Sequence, residues 1–154
     1  MKYSKHPPPI YEKARKLWGV DFEKGVVFTY GDTCHTATGT LPNHMVPHEE
    51  THSLQQGDDP AAWWEEYMRN PAFRLAQELE AYRAQYAWIR LHVKGRQQQF
   101  ELLKKLARDL SGPMYGLDIG FQKALMMIAN YNGTALGSND MHTKESKRRA
   151  TGVL

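Results

Sequence analysis

Apolar residues recur at steps of three and four through residues 71–93. Leu75, Leu79, Tyr82, Tyr86, Ile89 and Val93 fall on one side of a long helix that Asn70-Pro71 opens and Gly95 ends. The same spacing (Phe100, Leu103, Leu106, Leu110) predicts an amphipathic helix over 96–110, broken by Ser111-Gly112-Pro113, and Ile119, Leu125, Met126 and Ile128 predict a last one over 117–130. Upstream, Asp59 can cap a helix running from Pro60 to about residue 69, and Pro47 suits the first turn of a helix carrying residues 48–56, with Gly57 as its stop. Residues 10–18 read as a short helix with Ala14, Leu17 and Trp18 on one side. The pattern differs at residues 25–30, GVVFTY, which is β-branched and aromatic and is followed by the turn signal Gly31-Asp32. Residues 33–40 can pair back on it as a hairpin, and no third strand is evident. Pro7-Pro8-Pro9 favours an extended arm over residues 1–9. The expectation is a mostly helical α+β domain over 10–132 with a small sheet near its front, followed by a loosely ordered tail over 133–154.

Composition narrows the class. A chain of 154 residues, 41% hydrophobic and 24% charged, fits one globular domain with a single core. No run of residues approaches the ~18 apolar positions of a membrane span. Residues 1–9 lack the apolar region of a secretory signal, and Cys34 is alone, so no internal disulfide forms. Both features suit a reducing cytoplasm. The formal net charge of +3 is accounted for by Lys144, Lys147, Arg148 and Arg149 against Glu145, all within residues 141–154. The body is therefore close to neutral, without the basic face that duplex nucleic acid requires, and only the tail is left to touch nucleic acid, a membrane surface or an acidic partner, or simply to stand solvated as a flexible terminus.

The chemistry lies in His48-Glu49-Glu50-Thr51-His52, an HExxH segment. Histidines four apart on a helix share one face, so both imidazoles can reach a single zinc ion, while the carboxylate of Glu49 sits beside the metal and can take a proton from water activated there. A catalytic site needs a third protein ligand and an open fourth position. Glu78 and Glu80 on the long helix are the candidates. Glu78 shares a face with Leu75, Tyr82 and Tyr86, where a carboxylate is costly unless paired or bound to metal. Helical phase thus favours Glu78, with Glu80, beside Arg83 and Ala84, as the alternative.

HExxH followed by Glu78-x-x-Ala81 resembles the gluzincin metallopeptidases, a resemblance that implies a minimal zincin-like fold with Glu78 as third zinc ligand and Glu49 as general base for peptide hydrolysis. More narrowly, Leu41-Pro42, His48-Glu49-x-x-His52-x-x-Gln55, the Trp63/Tyr67 segment, Glu78-x-Glu80-Ala81-Tyr82 and the stretch Leu-Ser-Gly-Pro-Met-Tyr-Gly at 110–116 are similar to small phage-encoded metallopeptidases, over roughly residues 25–130. The pattern departs from the family at Glu50, at Pro47 before the first histidine, and at Tyr82, where many relatives carry an aspartate that braces the site. The phage resemblance implies a host-cytoplasmic or virion location. It also implies an alternative function, a non-catalytic virion or assembly protein that keeps the fold and docks other phage proteins through its arm and tail.

Other residues have two readings each. Tyr82, Tyr86, His44 and His92 can stabilise an oxyanion or simply pack and solvate. Trp63 and Trp64 can line a substrate groove or hold a helix on the core; Cys34 and His35 can ligate or fill a strand pair; Gln55 and Gln56 can brace a helix end. An extended peptide substrate would lie against whichever strand forms the sheet edge.

Overall fold

Prolines and side-chain caps decide where the helices begin. The computed structural model describes residues 1–129, so the expected tail and residue 130 lie outside the described residues. Helix α1 spans Tyr11–Trp18. Helix α2 (Val46–Gln56) has Pro47 in its first turn and stops at Gly57, whose φ of 53° suits a residue without a side chain. Helix α3 (Pro60–Arg69) starts where the Asp59 carboxylate accepts from Ala62 N at 3.0 Å. Asn70 then ends α3 and caps α4 (Pro71–His92), its Oδ1 accepting from Ala72 N and Phe73 N at 3.1 and 3.2 Å. Helices α5 (Arg96–Ser111) and α6 (Phe121–Ala129) complete the described chain.

The sheet has three strands rather than two. β2 (Phe28–Tyr30) and β3 (Thr33–His35) form the expected hairpin, with Gly31 at φ 60° in its two-residue turn. β1 (Lys2–Ser4) lies inside the segment read as a free arm, and it pairs parallel to the far side of β3, giving the order β1-β3-β2. Three residues beside a proline run carry no periodic signal of their own, and the pairing depends on a partner some thirty residues away. Both strands of the hairpin are shorter than expected, because the chain turns at Thr36, where Gly39 N donates to Thr36 O at 2.9 Å, leaving Val26 and Val27 unpaired. Helix α6 likewise starts at Phe121, not 117: Asp118 adopts φ 48°, a left-handed conformation that a helix cannot contain. Ile119 still packs into the core from that non-helical stretch.

Two apolar clusters result. One joins α4, α5 and α6 through Leu79, Tyr82, Ile89, Leu103, Leu106, Leu110 and Ile128. The other joins α1, β2 and α3 through Ala14, Phe22, Phe28, Trp63, Trp64, Tyr67 and Met68. Helix α4 serves both sides. The apolar line expected from the sequence faces the first cluster, while a second buried stripe, Arg74, Glu78, Ala81 and Gln85, lies beside it on the adjoining face. Helix α2 packs along α4 and against β2, and the polar site lies there, between the two clusters. Among the described residues no helix is long and apolar enough to cross a membrane.

Candidate metal centre

His48 and His52 lie one turn apart on α2, and the phase of α4 brings Glu78 up to them. The His48 and His52 Nε2 atoms are 3.1 Å apart; His52 Nε2 is 3.3 Å from Glu78 Oε1 and His48 Nε2 is 3.4 Å from Glu78 Oε2. One ligand atom from each of the three lies within 4.8 Å of the others, and all three residues are buried. Glu80, the alternative third ligand, is exposed on the outer side of α4.

The hydrogen bonds behind the rings decide what the facing atoms are. Gln55 Nε2 donates to two oxygens, Gln77 O at 3.1 Å and Glu80 Oε2 at 2.8 Å, so its Oε1 is the atom turned to His52 Nδ1 at 2.9 Å and can only accept. Gln85 Oε1 meets His48 Nδ1 at 3.1 Å, its amide nitrogen being directed at His44 Nδ1 at 2.8 Å. In their neutral form both rings are thereby held with the proton on Nδ1 and the lone pair on Nε2. Two Nε2 atoms and a carboxylate then converge on one point, and with both rings neutral none of the three is a donor there. Glu78 Oε2 is accordingly the one buried side-chain atom without a hydrogen-bond partner among the described residues. Such a cluster of acceptors is stabilised by positive charge at its centre, which a proton or a divalent cation can supply. The three residues could therefore hold a metal ion.

Titration follows the same logic. Burial alone would raise the Glu78 carboxyl, but the charge of His52 and the contact with His48 outweigh it and hold the group far below its usual range. Burial would lower His52, but the charge of Glu78 prevails and raises it to about 9. In the metal-free protein a proton on this cluster thus does part of the work of a cation. Tyr67, on α3, donates its hydroxyl to Glu78 Oε1. Burial and then the Glu78 charge push that phenol well above its ordinary value, so it remains a donor.

Glu49 is buried on the adjacent position of α2, and its Oε2 accepts from Thr29 Oγ1 at 2.8 Å. It shares no ligand position with the three converging residues, and with them it lines a cleft enclosing about 560 Å³. Trp18, Phe28, Trp63, Trp64 and Tyr67 form the aromatic wall of that cleft. Arg74 closes its floor, with the guanidinium held by the carbonyls of Tyr67, Met68 and Tyr115 and lying over the rings of Trp18 and Tyr67.

The remaining sequence candidates divide. Tyr82 packs edge-on against the His48 ring with centroids 4.6 Å apart, and its hydroxyl meets Tyr115 at 2.9 Å rather than any ligand. Tyr86 packs at the margin of the α4–α6 core, and His92 stacks on Trp88 at the exposed end of α4. His44 reaches the site only through Gln85. Cys34 is fully buried at the centre of β3, its thiol pushed up to about 12 by burial and then by the charge of Glu49. Trp63 and Trp64 do both jobs considered for them, filling the second core and lining the cleft. Gln56 braces β2, linking Thr29 O and Gly31 N at 2.7 Å each. β2 is an edge strand, yet its Thr29 carbonyl accepts from both Gln56 Nε2 and Trp64 Nε1, so an extended peptide cannot pair with it there.

Gln85, Thr29, Tyr67, Arg74 and Tyr115 were not singled out as site residues by sequence. The spacing of Arg74, Glu78, Ala81 and Gln85 at steps of four, three and four was the available signal, hidden because those residue types on a helix ordinarily face water. No protein-family model matches the chain, and neither a curated protein nor a solved structure does.

Proposed function

We propose that the protein is a zinc-dependent peptidase of gluzincin type, in which His48, His52 and Glu78 hold the metal and Glu49 moves the proton. The observation that carries this reading is the convergence of two histidine Nε2 atoms and a half-unpartnered carboxylate at one buried point beside a second buried carboxylate. Two imidazoles and one carboxylate suit zinc with a position left open, and zinc bound there would supply Lewis acidity toward a carbonyl and toward water.

The chain's own residues do the rest. Glu49 accepts a proton from the attacking water and returns it to the leaving amine. Thr29 holds the Glu49 carboxylate by one oxygen, and among the described residues the other has no hydrogen-bond partner and is left to act. Gln55 and Gln85 fix the histidine tautomers, and Tyr67 orients Glu78. The aromatic wall excludes water from one side of the cleft, which strengthens every charge interaction inside it. Tyr115 lines the same cleft and Tyr82 does not, so of this hydrogen-bonded pair Tyr115 is the one nearer to a bound oxyanion.

Elemental analysis together with hydrolysis of casein or a peptide library tests the proposal. One zinc per chain is expected, with hydrolysis abolished and zinc retained in Glu49→Gln. Full activity in that variant would refute the mechanism. Zinc bound without hydrolysis of any peptide would favour the alternative, a virion or assembly protein whose site is structural.

A further inference from the structure

The cleft at the site has two arms. Both include His48 and Glu49, and both run between Val26-Val27 on one wall and Met114-Tyr115 on the other. The first arm is the aromatic one described above. The second is the wider, enclosing about 1430 Å³, and it passes between the loop after α1 and the outer face of α5.

Charge distinguishes them. Lys24, Lys105 and Arg108 line the second arm, together with His44, and besides Glu49 its only acid is Asp109. Lys24 pairs loosely with Asp21, at 3.6 Å. Lys105 and Arg108 sit nearly one turn apart on α5 and are exposed; Arg108 lies over the Phe121 ring at 5.8 Å, both feel the neighbouring charge of Asp109, and neither has a carboxylate within salt-bridge distance among the described residues. Outside residues 141–154 the formal charges of the chain cancel. Three cations against the two carboxylates of Glu49 and Asp109 along this arm leave an excess of positive charge on its α5 bank, which attracts and orients an anionic group.

Resting on the reading of the site as a hydrolytic centre, we propose that the substrate is an acidic peptide. A large apolar or aromatic side chain occupies the arm walled by Trp18, Phe28, Trp64 and Tyr67. An aspartate or glutamate on the other side of the cleaved bond meets Lys105 and Arg108. Hydrolysis adds one water across the C–N bond, the oxygen going to the acyl carbon and the proton to the amine.

The test uses the full-length zinc-loaded protein and three peptides that differ only in the residue beyond a phenylalanine: glutamate, glutamine or lysine. The glutamate peptide is expected to have a kcat/KM about five- to tenfold above the glutamine peptide at low salt, with the lysine peptide lowest and the preference shrinking as salt is added. Lys105→Gln/Arg108→Gln, at exposed positions, should bring the glutamate-to-glutamine ratio toward one. Equal kcat/KM for glutamate and glutamine peptides would overturn the proposal while leaving the hydrolytic reading intact. Fluorescence anisotropy of labelled peptides on Glu49→Gln reads the same preference without turnover. Should no peptide be cleaved, tighter binding of the glutamate peptide there would still support the cationic arm, and equal binding, or stronger competition by a single-stranded oligonucleotide, would overturn it.

Discussion

Replacing Gln85 by leucine isolates the contribution of the bond behind His48. Gln85 is 4% exposed and accepts from the His48 ring at 3.1 Å while directing its amide nitrogen to His44 at 2.8 Å. Leucine fills the space and removes the acceptor. The His48 Nδ1–H is then a buried donor without a partner, which costs roughly 1–3 kcal/mol. The ring can escape that cost by moving the proton to Nε2, the atom that faces the metal position, and a bound ion must then reverse the move. Either way the metal-binding state loses ground, by about 1.4–2.7 kcal/mol or roughly 10- to 100-fold in affinity. Gln55→Leu should cost less, near the lower figure, because Gln55 is only partly buried and water can replace its oxygen at His52. Competition with a chromogenic chelator at neutral pH measures both, with thermal unfolding of the metal-free proteins as the check on folding. A folded Gln85→Leu protein with unchanged zinc affinity, or a Gln55→Leu protein that loses more than Gln85→Leu, would refute the tautomer argument.

Four further outcomes follow from named contacts. Thr29→Val removes the hydroxyl that donates to the Glu49 carboxylate and should lower kcat by roughly 10- to 100-fold, with zinc stoichiometry preserved, because a misplaced base fails at the step it serves; unchanged kcat would remove Thr29 from the site. Tyr67→Phe deletes the donor to a buried charged oxygen and should destabilise the metal-free protein by about 1.5–3 kcal/mol in thermal or denaturant unfolding. Asp59→Ala removes the α3 cap at a cost of about 1 kcal/mol, a fall in Tm of roughly 2–4 °C, with metal affinity unaffected. His52, raised to about 9, favours its charged form in the metal-free fold, so that contribution to stability is complete below the unfolded value of roughly 6.5 and disappears as pH rises through about 9. Within that window zinc binding should release about one proton per ion, read by calorimetry in buffers of different ionisation enthalpy, and release of none would show that His52 binds already neutral.

What the chain settled locally is what depends on neighbours along it. Pro47, Asp59, Asn70-Pro71 and Gly95 act within a turn of where they stand, and the helices they delimit lie where the hydrophobic spacing places them. The HExxH register likewise fixes His48 and His52 on one face and Glu49 beside them, since a helix leaves no other arrangement. The tertiary structure decided the rest. β1 exists only because β3 offers an edge to it, and Asp118 delays α6 through a backbone angle that no hydrophobic pattern records. Of the second buried stripe of α4, helical phase marked Glu78 as inward, but Arg74 and Gln85 could not be distinguished in sequence from a solvated face, because such residues are buried only when partners from α2, α3 and the chain after α5 arrive to satisfy them. Spacing along a helix is a property of the chain. The identity of what a buried polar group meets is a property of packing, and here packing is what turned two histidines and a glutamate into a single point with room for a cation.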